Sequence, residues 1–188
     1  MEKKYEILEN DFITYKGRKL YRIKALRDIT IVKEHWTVSE GDLGGYVEGY
    51  HNLSQKGSCW IFDDSKVYSN AKIEDNAIVK SVSEVYGNAV VKDDVIISQS
   101  EVYDNARIIG CTLISLSKIH GNASLGKIGE IPNLSVIDSD VRDNANVISS
   151  TVNMSEIYDN AKVNGEEGED REVVYRSNIS NNSIICHN

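Results

Sequence analysis

Ser83-Glu84-Val85-Tyr86-Gly87-Asn88-Ala89 returns with small changes as Ser100-Glu101-Val102-Tyr103-Asp104-Asn105-Ala106 and as Ser155-Glu156-Ile157-Tyr158-Asp159-Asn160-Ala161. Four more copies begin at Ser65, Ser117, Ser139 and Ser177, so successive copies start 18, 17, 17, 22, 16 and 22 residues apart. A short fixed period of this kind is the signature of a solenoid. Within it runs a six-residue beat: Ile61, Val67, Ile73, Val79, Val85, Val91 and Ile97, with Ser65, Ala71, Ala77, Ser83 and Ala89 four residues behind. A helix spaces apolar residues by three and four, and an isolated strand by two. Six residues fit a short strand and a corner, three times per coil. The aliphatic side chain points inward from the strand, and the small one points inward at the corner, where nothing larger fits.

Gly87-Asn88, Asp104-Asn105, Gly121-Asn122, Asp143-Asn144 and Asp159-Asn160 then read as corners, because Gly, Asp and Asn tolerate left-handed backbone angles. Coils paired as parallel strands lie about 4.8 Å apart, which stacks Asn70, Asn88, Asn105, Asn122, Asn144 and Asn160 into one amide ladder. The single proline is consistent, since proline removes a ladder donor. From Ile97 to Val102 the step is five, so the count leaves one face of such a coil a residue short. The 22-residue copies carry extra residues at 126–133 and 164–172, read as loops that serve function or as tolerated insertions.

Ahead of the repeats, Phe12-Ile13-Thr14-Tyr15 and Leu20-Tyr21-Arg22-Ile23 flank the turn Lys16-Gly17-Arg18. Leu26 to Lys33 reads as a further strand or an irregular connection. The first coil of a solenoid needs a cover for its open edge, and the hairpin supplies one. Two regions result: residues 1–45, a β cap with a glycine-rich lead-in, and residues 46–188, the solenoid. The fold class is all-β, a single-stranded parallel β-helix of about seven to eight coils with a small N-terminal β-hairpin cap.

At these residues the chain resembles the hexapeptide-repeat family, whose pattern is aliphatic-x-x-x-small-x. The resemblance covers about Leu53 to Ile185 and implies a left-handed helix of triangular cross-section. Gly41-Asp42-Leu43-Gly44-Gly45-Tyr46-Val47-Glu48, then Asn52-Leu53-Ser54 and Gly57-Ser58-Cys59-Trp60-Ile61, also resemble a group of uncharacterised bacterial, phage and prophage proteins with Tyr-Gly-Asn-Ala repeats. That resemblance implies a phage or prophage setting and brings no established activity.

Net charge is −8, which argues against a general nucleic-acid binder. Residues 1–40 carry nine Lys/Arg and seven Asp/Glu, and the remainder twelve against twenty-two, so the solenoid holds the acidity. Cys59, Cys111 and Cys186 are odd in number, far apart and without CxxC spacing. They point to a reducing compartment, with neither a disulfide framework nor a zinc site. Met1-Glu2-Lys3-Lys4-Tyr5-Glu6 has no apolar leader segment, and a cytoplasmic protein without membrane contact is expected, in the host cytoplasm if phage-encoded.

His120 stands where other copies place Tyr68, Tyr86, Tyr103 and Tyr158. By resemblance to hexapeptide acyltransferases it is a general base toward an acceptor hydroxyl or amine, with a thioester such as acetyl-CoA as the acyl donor. By position it is an outward ladder residue in which imidazole replaces phenol. The chain ends without the Gly-bearing hexads of those enzymes, which weighs against catalysis. A metal site would need three converging ligands such as histidines, and none is expected, nor is a cofactor. The outward residues form an acid-leaning file, with Glu84, Glu101 and Glu156, beside the tyrosine file. Tyrosine is enriched at protein interfaces. Glu166, Glu167, Glu169 and Asp170 add an acidic cluster. The expectation is a non-enzymatic binding protein that holds a protein partner, of basic character if it complements the acidic surface, such as a host defence factor, through these stripes and the acidic loop. The alternatives are an acyltransferase and a sequesterer of a small nucleotide between subunits. Self-association as a homodimer or trimer is expected, from flat tyrosine-lined faces and an uncapped last coil near Ile184-Ile185.

Overall fold

The structure, a computed structural model, describes residues 3–31, 35–110, 112–126, 134–148, 150–164 and 173–186. Strand β1 (Tyr5–Tyr15) turns at Lys16-Gly17 into β2 (Arg18–Ala25). Both turn residues have positive φ, 48° and 75°, as a tight two-residue hairpin requires. A small second hairpin pairs β3 (Ile29–Ile31) with β4 (Trp36–Val38), which fills the stretch read as a strand or a connection. Strand β5 (Leu43–Val47) joins cap to solenoid, because it pairs antiparallel with β2 and parallel with β7 (Lys66–Val67). Its glycines are there for closeness. A Cβ on Gly44 would stand 2.7 Å from the Ile61 carbonyl oxygen, and one on Gly45 would strike the carbonyl oxygen of Ser65.

The repeats form a three-faced parallel solenoid. Face A extends the cap sheet to ten strands, while faces B and C have seven strands each. The first coil supplies β6 (Trp60–Ile61) to face C, β7 to face A and β8 (Lys72–Ile73) to face B, and later coils repeat that order. Among the described residues there is no helix. Val85, Val102, Ile119, Val141 and Ile157 stand in register on face A and are fully buried, as the repeat requires. The six-residue beat from Ile61 to Ile97 is fully buried as well, and so are Ala71, Ala77 and Ala89 at the corners.

The 17-residue coils shorten at a corner and leave all three faces in place. Between faces C and A the first full copy turns through two left-handed residues, Ser81 and Val82, whereas the next uses Gln99 alone. The adjoining face C strand, Val95–Ser98, loses nothing. That is the physical sense of the five-residue step from Ile97 to Val102.

Two polar ladders run along the axis. At the A–B corner each side-chain amide donates to the next, from Asn70 through Asn88, Asn105, Asn122, Asn144 and Asn160 to Asn182, at 2.9–3.3 Å. At the C–A corner the repeat serines do more than occupy little space. Ser65, Ser83, Ser100, Ser117, Ser139 and Ser155 are buried, and each hydroxyl accepts the N–H of the next repeat serine at 3.0–3.2 Å. From Ser83 onward the same hydroxyls donate to a carbonyl two or three residues back. Buried backbone donors must be satisfied, and this corner does it through a side chain.

Candidate functional site

The tyrosine file is a column of stacked rings. Tyr68 and Tyr86 are 5.0 Å apart and within 3° of parallel, Tyr86 and Tyr103 are 4.9 Å apart, and Tyr103 stacks on His120 at 4.6 Å. Identical positions on coils about 4.8 Å apart impose that spacing. Arg142 follows in the file and lies over the Tyr158 ring at 4.5 Å.

The cap covers the upper end of this column. Tyr68 is 3% exposed, beneath an edge-on Tyr15 at 6.1 Å. Glu84 accepts hydrogen bonds from the Tyr15 hydroxyl, from Lys16 at 3.0 Å and from the Tyr68 hydroxyl at 3.0 Å. Burial pushes the Glu84 carboxyl up, but these three donors outweigh it and hold the group below the ordinary carboxylate range. The ion pair with Glu84 holds Lys16 above its usual value. Burial, helped by Glu101, pushes Tyr86 up to about 12. Tyr68 and Glu84, read from sequence as binding residues, are therefore engaged with the cap.

Farther down, Glu101, Tyr103, His120, Glu156 and Tyr158 remain partly or fully exposed on face A. His120 sits between two carboxylates, its Nε2 3.2 Å from Asp140 Oδ1 and its Nδ1 3.9 Å from Asp104. Asp140 Oδ1 is buried and has no hydrogen-bond partner, so the approach of Nε2 is off the line that a hydrogen bond needs. Arg142 binds Asp140 at 3.4 Å and Glu156 at 3.0 Å on the far side.

Glu166, Glu167, Glu169 and Asp170 lie outside the described residues, as do residues 127–133 of the other excursion. The strands that flank both excursions are described. Ser124–Gly126 and Lys162–Asn164 belong to face B, and Leu134–Ile137 and Val173–Tyr175 to face C. Both excursions leave the B–C corner, the one corner that face A does not touch, so their ends are not brought beside the tyrosine column.

A groove that the sequence reading missed follows the C–A corner. Its floor includes Ser100, Ser117, Ser139 and Ser155. One wall is the outward face A file, with Glu84, Glu101, Lys118, Asp140 and Glu156. The other is the corner itself, where Val82, Leu116 and Met154 are 63%, 54% and 45% exposed. All three have left-handed backbone, with φ of 63°, 53° and 50°. Leu116 and Lys118 line both the upper and the lower stretch. Counting Asp138, its lining holds five carboxylates and one lysine. A sequence signal existed: an apolar residue directly before the repeat serine, off the six-residue beat.

Fold and surface together define a capped parallel β-solenoid with an acidic, apolar-edged groove. No protein-family model matches the chain. It is similar to a curated protein, the uncharacterized acetyltransferase YdcK of Escherichia coli (strain K12), at 30% identity over 76 residues. That match covers 40% of this chain and only 23% of YdcK.

Proposed function

We propose that this chain acts by binding a protein, and that its recognition surface is the groove along the C–A corner. One observation carries the reading: Val82, Leu116 and Met154 are exposed apolar side chains on left-handed backbone, aligned along one corner. An L-residue in that conformation costs about 1–2 kcal/mol, and a branched residue such as Val82 is a pronounced outlier there. Asn, Asp or Gly would relieve the strain, and the A–B corner uses them at Gly87, Asp104, Gly121, Asp143 and Asp159. Side chains that disfavour the fold yet recur on one surface fit a contact role.

The groove suits an extended basic segment of a partner. The three apolar residues fall on every second coil, about 9.6 Å apart, close to the rise of three extended residues. A segment in the extended polyproline II conformation, which brings every third side chain back to the same side after about 9.3 Å, would meet them in turn with apolar residues, with Lys or Arg between facing the carboxylates. Such charge complementarity mainly raises the rate of encounter and fades with salt. The resemblance of the lead-in segment favours a phage or prophage protein whose partner is a host factor, met in the cytoplasm.

The test is site-specific photo-crosslinking in the native host, with the crosslinker at position 116 and, as control, at position 107 on face B. A protein captured at 116 and absent at 107, with capture reduced when irradiation is carried out at raised salt, is the expected result. Equal capture at both positions, or none at 116, overturns the reading.

A second reading, acyl transfer from acyl-CoA, is favoured by the likeness to a protein named as an acetyltransferase and by His120 between Asp104 and Asp140. Acyl-CoA consumption by the folded protein that His120→Ala abolishes would establish it in place of the binding reading.

A further inference from the structure

Beneath the cap, Lys4 and Cys59 form a buried pair that the groove does not involve. Both are fully buried, and Lys4 Nζ lies 3.1 Å from Cys59 Sγ. The ammonium position is fixed by the carbonyl oxygens of Cys59 at 2.8 Å and Lys56 at 3.2 Å. The backbone on either side is held as well, since the Gln55 side chain accepts the N–H of Lys4 at 2.8 Å and donates to the carbonyl of Tyr5 at 3.1 Å. The two residues are 55 positions apart in sequence, one at the start of the cap and one at the start of the first coil.

We propose that Lys4 and Cys59 form an oxidation-driven covalent crosslink, a sulfenamide between Nζ and Sγ, that locks the cap onto the solenoid. The oxidant is a peroxide. The Cys59 sulfur attacks one peroxide oxygen, the O–O bond breaks, and hydrogen peroxide leaves as water, giving the sulfenic acid. The Lys4 amine nitrogen then attacks that sulfur. The S–N bond forms, the S–O bond breaks, the hydroxyl departs with one amine proton as a second water, and sulfur remains at the sulfenyl oxidation level. Condensation of a sulfenic acid with a nearby nitrogen is a known branch of cysteine oxidation. Two atoms held about 3–3.5 Å apart are already at the separation of a near-attack pair. Burial helps the second step, because it lowers the Lys4 pKa and so favours the neutral amine. It slows the first, because it pushes the Cys59 thiol up. The crosslink therefore forms slowly, under sustained oxidant. A thiol reductant reverses it.

The test exposes the purified full-length protein to hydrogen peroxide and reads intact mass and a peptide map without reductant. The expected product is lighter by about 2 Da, the loss of two hydrogens. It carries the Lys4 peptide joined to the Cys59 peptide, melts at a higher temperature, and reverts with dithiothreitol. Lys4→Arg keeps the cation and should abolish the link, and Lys4→Met serves if the arginine variant fails to fold. The wild-type map decides in either case. A Cys59 that gains oxygen with Lys4 unlinked, a Cys59 that stays a free thiol, or a link that forms equally well in urea overturns the proposal.

Discussion

Serine at the C–A corner and alanine at the A–B corner look interchangeable as small residues, but they are not. The hydroxyl of Ser117 accepts the N–H of Ser139 at 3.1 Å and donates to the carbonyl of Ser115 at 2.7 Å. Ser117→Ala should leave a buried donor without its acceptor and cost about 1–3 kcal/mol, read as a lower urea midpoint at unchanged slope. The same truncation at the exposed Ser124 should cost little. The aliphatic file was legible because every sixth residue has to be apolar to be buried. The serine ladder was not, since a period reports size and leaves open where a hydroxyl finds its partner. Val82, Leu116 and Met154 stood off the beat in plain sight, but their exposure follows from corner angles that no local pattern records.

At the scale of elements, the tip of the β1–β2 hairpin is pinned by Glu84, Tyr15, Lys16 and Tyr68. Glu84 titrates below its ordinary range, so its contribution is present above the unfolded carboxylate pKa and is lost as pH falls through the folded one. Lys16 titrates above its ordinary range, so its share is present below the usual lysine pKa and is lost as pH rises through the folded value. Its half-exposed ammonium makes that share small. Glu84→Gln should lower stability at neutral pH and flatten the loss on acidification, measured by denaturant midpoints along an acid titration. An unchanged acid slope would remove Glu84 from this role. The hairpin itself was legible at Lys16-Gly17. Its landing on Tyr68 was not, because the first copy of the repeat reads like the others and only long-range docking sets it apart. The glycines of the lead-in were legible as a cluster, while their reason, the close approach of β5 to Ile61 and Ser65, needed three dimensions.

Across the whole molecule, each coil contacts chiefly its neighbours, so stability sums local terms and coil-to-coil terms. Val102 sits at 0% exposure between Val85 and Ile119 in the face A file. Val102→Asp should therefore be severe, since an unpaired buried charge costs several kcal/mol, and calorimetry should show loss of the cooperative transition. The corner groove obeys the opposite rule, because its apolar edge is retained at a cost to the fold. The most direct measurement combines Val82→Asn, Leu116→Asn and Met154→Asn in one protein, moves the crosslinker to position 118 in the same groove, and reads thermal stability together with capture of the partner. The account predicts a melting temperature equal to or above that of the wild type, with capture lost. A destabilised protein, or undiminished capture by a stable one, would contradict it.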